Sequence, residues 1–61
     1  MAESICLATL IVDDELPARE LMRSHAAGRQ ELRVVGEAED GLAAVDAIRR
    51  LDPDLVLLDV E

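Results

Sequence analysis

Two aliphatic runs, Ile5 to Val12 and Leu55 to Leu58, restrict what this chain can fold into more than any other feature. Neither alternates with polar residues, only Thr9 interrupts the first, and each is closed by aspartate. A strand with one face in water alternates, whereas a strand apolar on both sides belongs inside a parallel sheet covered on both faces. Parallel strands need crossovers, and helical patterns sit where crossovers are required. After Asp13-Asp14-Glu15, Pro17 suits a first helical turn. Ala18, Leu21, Met22, His25 and Ala26 then recur at helical spacing before Gly28, which suits the C′ position. Leu32 to Val35 is a short strand, and Gly36 to Gly41 reads as strand end and loop, with Asp40 as N-cap of a second helix. That helix presents Leu42, Ala44, Val45, Ile48 and Leu51, complements its C-terminal dipole with Arg49 and Arg50, and stops at Pro53.

The predicted class is therefore α/β, in the order βαβαβ, with a parallel sheet. Right-handed crossovers that reverse direction after the second strand place the first strand in the middle, order 2-1-3, with a helix on each face. Open sheets of this kind bind ligands outside the carboxyl ends of their strands at the point of reversal, and the residues there are Asp13, Asp14 and Asp59. Three carboxylates at adjacent strand ends repel one another unless a cation, protons or solvent compensate. Hard oxygen donors in this number suit Mg²⁺, which keeps several waters and takes one or two protein carboxylates. A carboxylate beside such a cation can also attack phosphorus and form an aspartyl phosphate.

Composition narrows the partners. The 61 residues hold one small domain or a piece of one, and 6 basic against 14 acidic side chains give a net charge of −8. That balance argues against the phosphate backbone of a nucleic acid or an anionic membrane surface as the chain's own partner. Apolar residues make up 51% with no aromatic side chain, so the core must be aliphatic. Cys6, the single cysteine, lies in an apolar run and reads as a buried inert thiol, which points to a reducing compartment. The start, Met1-Ala2-Glu3-Ser4, lacks the basic region and long apolar stretch of a secretion signal, and Leu55 to Leu58 is far too short to span a bilayer. A soluble, cytoplasmic chain is expected. Met22 reads as core filler by its helical spacing, and His25 as a packing or partly exposed residue and not a catalytic one, because no Cys or second His stands at metal-ligand spacing.

Three blocks carry a resemblance: Leu10-Ile11-Val12-Asp13-Asp14-Glu15-Leu16-Pro17-Ala18-Arg19, Val34-Val35-Gly36-Glu37-Ala38-Glu39-Asp40-Gly41, and Pro53-Asp54-Leu55-Val56-Leu57-Leu58-Asp59. Together they resemble the receiver domain of bacterial two-component response regulators, and the Asp-Glu-Leu-Pro-Ala-Arg stretch is most similar to the subgroup that carries a LytTR-type DNA-binding domain. The resemblance implies a flavodoxin-like doubly wound sheet and a sensor histidine kinase as partner. It implies Asp59 as phosphoacceptor and Mg²⁺ held by Asp13, Asp14, Asp59 and the main-chain carbonyl of Glu61. Arg19, Arg23 and Arg29 then read either as a solvated helix face or as a small basic patch that meets the kinase.

The resemblance spans residues 1–61 but only the first three strands and two helices of the receiver pattern. A fourth strand ending in Ser or Thr and a fifth ending in Lys, which receivers use to hold the phosphoryl oxygens and relay the switch, have no counterpart in these residues. A truncated receiver with impaired switching is therefore expected, not an enzyme, and the exposed strand 55–59 is expected to pair with its copy in a homodimer, directly or in an exchanged arrangement. Two alternatives stay open. One is a self-associating half-fold without signalling activity. The other is a phosphohydrolase, since Leu55 to Glu61 is faintly similar to the strand and Asp-x-Asp start of haloacid-dehalogenase-like enzymes, with Glu61 in place of the second Asp.

Overall fold

The computed structural model describes residues 5–58, and β1 (Leu7–Val12), α1 (Leu16–Ala27), β2 (Leu32–Ala38), α2 (Gly41–Leu51) and β3 (Leu55–Leu58) follow one another along it. Both strand pairs are parallel and the order is β2-β1-β3, so the chain reverses after β2 as the crossover rule requires. The central strand is the aliphatic run. Thr9, Leu10, Ile11 and Val12 are all buried, and the Thr9 hydroxyl donates to the Leu7 carbonyl at 3.0 Å, which satisfies the one polar side chain in the run. β1 starts at Leu7, whose N–H donates to the Glu31 carbonyl at 2.7 Å and whose ladder partner is Leu32. Ile5 and Cys6 precede that ladder and are exposed, which corrects the reading of Cys6 as a buried thiol.

β2 runs three residues further than its β-branched stretch suggests. Thr9 pairs with Val34 and Leu10 with Gly36, so Val35 is an extra residue and the strand carries a bulge there. Beyond it Glu37 and Ala38 stay in the ladder, and the Ala38 carbonyl accepts the N–H of Asp13 at 3.1 Å. A methyl group at Gly36 would meet Leu51 Cδ1 at 2.7 Å, so the missing side chain is what lets α2 lie this close to the sheet.

The helices depart from the predicted faces in an instructive way. Along α1, Ala26 is buried and Ala18 and Met22 half-buried, but Leu21 is exposed, and His25 takes the exposed of its two expected roles. Gly28 closes α1 in a right-handed conformation, φ −79°, donating to the His25 carbonyl in a tight turn, and not in the left-handed geometry expected of a C′ glycine. Asp40 caps α2 as predicted, accepting the Ala43 N–H at 2.8 Å. At the other end Asp52 adopts the left-handed region, φ 48°, and donates its N–H to the Ile48 carbonyl at 2.9 Å. The α2 surface against the sheet is built of Ala43, Ala44, Ala47 and Leu51 on a core of Leu10, Val12 and Ala38. Leu42, Val45 and Ile48, three of the five residues predicted for the packed face, are exposed. Alanines let helix and sheet approach closely, and the larger side chains are displaced to the flank.

Candidate functional site

Hydrogen bonding at the carboxyl end of β1 holds Asp13 from three directions. Its N–H donates to the Ala38 carbonyl at 3.1 Å, its Oδ1 accepts the Glu15 N–H at 2.9 Å, and its carbonyl accepts Arg19 Nη1 at 2.7 Å. The residue is only 7% exposed. The Oδ1 contact is the turn an aspartate makes with the backbone two residues on, and it redirects the chain from strand to helix before Pro17. Asp14 and Glu15 are exposed at the mouth of a cleft of about 610 Å³. Glu39, Asp40 and Gly41, from the loop after β2, line the same mouth, while Ala44, Ile48, Val56 and Leu58 form its apolar floor between α2 and β3.

Of the four residues predicted to form the site, the fold brings Asp13 and Asp14 to this cleft. Asp59 and Glu61 lie outside the described residues. β3 reaches the same end of the sheet, since Leu58 stands opposite Val12 in the ladder. Among the described residues no three His, Cys, Asp or Glu side chains are grouped closely enough to hold a metal ion by themselves. A nearly buried carboxylate, Asp13, next to an exposed one, Asp14, is nevertheless a donor set that a hard, partly hydrated divalent cation accepts.

Sequence reasoning missed the role of Arg19. Its side chain is 15% exposed and bridges the Asp13 carbonyl and Glu37, whose Oε1 lies 3.4 Å from Nε. Arg23, one helical turn on, pairs with the other oxygen of Glu37. The pair at i and i+4 facing a lone acidic residue of β2 was the available signal, but Glu37 sits in a stretch that reads as loop, which hid the match. These two arginines are therefore engaged within the fold, not members of a free basic patch.

A parallel 2-1-3 sheet with an aspartate held at the end of its middle strand defines a class, and the comparison with known families agrees with it. The family of response regulator receiver domains matches residues 9–61, so the chain belongs to that family of two-component systems, with its flavodoxin-like fold. An uncharacterized response regulatory protein of Yersinia pestis is 44% identical over 55 residues, which is 90% of this chain and 23% of that protein. The transcriptional regulatory protein BtsR of Salmonella typhi is 38% identical over the same share of the chain and 23% of its own length. A protein-glutamate methylesterase/protein-glutamine glutaminase of Methanospirillum hungatei is 40% identical, with 90% of this chain matching 16% of it. The chain thus spans less than a quarter of the relatives it matches. No helix among the described residues is long and apolar enough to cross a membrane.

Proposed function

We propose that this chain is the phosphoacceptor part of a receiver, in which Asp59 accepts a phosphoryl group from a sensor histidine kinase with Mg²⁺ bound by Asp13, Asp14, Asp59 and the Glu61 main-chain carbonyl. The observation that carries the reading is the threefold fixing of Asp13 at the end of the central strand, inside a match to the receiver family. In the transfer a carboxylate oxygen of Asp59 forms the new P–O bond. The P–N bond of the donor phosphohistidine breaks, its electron pair stays on the imidazole, and the ring takes a proton from water. Bound Mg²⁺ supplies neutralisation of the charge on the phosphoryl oxygens. Asp13 and Asp14 would hold the cation, and Oδ1 of Asp13 is kept in place by the Glu15 amide.

The chain accepts one phosphoryl group and does not turn over a substrate. Its setting is cytoplasmic, and its own acidic surface does not meet nucleic acid. The Asp-Glu-Leu-Pro-Ala-Arg stretch supports an output of the LytTR type in the whole protein, and a relative named as a transcriptional regulatory protein supports an output on transcription. The test is incubation with acetyl phosphate and Mg²⁺ followed by mass spectrometry. One hydroxylamine-sensitive phosphate per chain is expected, lost in Asp59→Asn and requiring more Mg²⁺ in Asp13→Ala. Label retained by Asp59→Asn removes the acceptor assignment, and repeated hydrolysis of a phosphate ester replaces it with the phosphohydrolase reading.

A further inference from the structure

We infer that Arg19 is a positioning residue for the acidic pair, acting through the backbone of Asp13, an inference that rests on the Mg²⁺ reading above. Arg19 Nη1 donates to the Asp13 carbonyl at 2.7 Å, and that carbonyl belongs to the peptide plane joining Asp13 to Asp14. On the other side of the same residue, the Asp13 N–H is bound to the Ala38 carbonyl at 3.1 Å. With the ladder fixing one peptide plane and Arg19 the next, the directions in which the Asp13 and Asp14 side chains leave the main chain are set before any cation arrives.

The guanidinium suits the task. It is planar, offers donors on more than one nitrogen, and uses two of them on different partners, Nη1 on the carbonyl and Nε toward Glu37 at 3.4 Å. Glu37 aims the side chain and offsets its charge, so that a cation near Asp13 does not meet a free positive group. Arg23, 61% exposed at its side chain, holds Glu37 from the solvent side. Burial of Arg19 to 15% exposure keeps water from competing for the carbonyl. The arrangement therefore runs from α1 through β2 to the loop that carries both carboxylates, and a role confined to tying α1 to β2 would not need the carbonyl contact.

The experiment is Mg²⁺ titration of the 61-residue chain by calorimetry, with amide spectra recorded without the metal. Arg19→Gln is expected to weaken Mg²⁺ binding about tenfold and to shift the Asp14 and Glu15 amides in the metal-free protein. Arg19→Lys, which keeps a charged donor, is expected to recover part of the affinity. Ala47→Gly, a destabilising change on α2 away from the loop, is expected to lower stability while leaving affinity and both amides unchanged. Unchanged affinity in Arg19→Gln, or an equal loss in Ala47→Gly, overturns the inference and leaves the Mg²⁺ reading standing. Absence of Mg²⁺ binding by the unmodified chain overturns both. Should Arg19→Gln not fold, the comparison of Arg19→Lys with the unmodified chain decides the question, and full affinity with unmoved amides overturns the inference.

Discussion

Gly36 shows how a single hydrogen atom sets a packing distance. Its φ is not in the left-handed region, so backbone freedom is not what the position needs; space is. A methyl group there would stand 2.7 Å from Leu51 Cδ1 and 3.5 Å from Leu10 Cδ1. Gly36→Ala is therefore expected to cost about 1 kcal/mol, the low end for overpacking because the near atom is the tip of a movable side chain. Urea unfolding measures it, and adding Leu51→Val should make the alanine less costly than it is alone. Asp54 is the opposite case, a residue kept for its polar atoms. It accepts the Ala8 N–H on Oδ2 at 2.9 Å and donates its own N–H to the Ala8 carbonyl at 2.8 Å, so it fastens the start of β3 to β1 just before the ladder begins.

Among the elements, α2 is the one fixed at both ends by aspartates doing different things. Asp40 accepts a backbone N–H, and Asp52 turns the chain out of the helix in a conformation that Asp tolerates better than most residues. Asp40→Ala is expected to destabilise the fold by about 1 kcal/mol, read as a lower thermal midpoint with the native far-ultraviolet spectrum retained at low temperature. The existence and order of all five elements were legible in the sequence, because a doubly apolar run and a helical period leave few alternatives. Faces and ends were less so. β2 extends through Glu37 because Arg19 and Arg23 neutralise a charge that marks a loop when read alone. Alanines won the packed face of α2 over Leu42 and Val45, since helix-to-sheet distance, set partly by Gly36, is a tertiary property with no local signature. At the cleft, the position of Asp13 and Asp14 was legible from residue type and place after β1, whereas Arg19 became visible only once α1 lay beside β2.

At the largest scale, the described residues leave one side of the sheet open. β3 pairs with β1 alone among the described strands; its Leu58 is 60% exposed, and its Val56 lines the cleft floor together with Ile48 of α2. We propose that the isolated chain covers this side with a second copy, β3 against β3, giving a continuous six-stranded sheet flanked by four helices. Native mass spectrometry should find a dimer, and Val56→Lys, on an exposed position of that strand, should shift it toward monomer. Because such pairing brings two acidic clefts near one another, Mg²⁺ should strengthen the dimer. A monomer, or a dimer indifferent to both changes, excludes the arrangement.

The exposed position of Cys6 carries a practical corollary. It precedes β1, so it marks the amino end of the sheet, at the far end of the central strand from Asp13. A nitroxide or fluorophore attached to this one thiol sits away from the carboxylates and outside the hydrogen-bonded ladder. Two such labels would report the separation and relative direction of paired copies, turning an unremarkable side chain into a built-in ruler for the assembly.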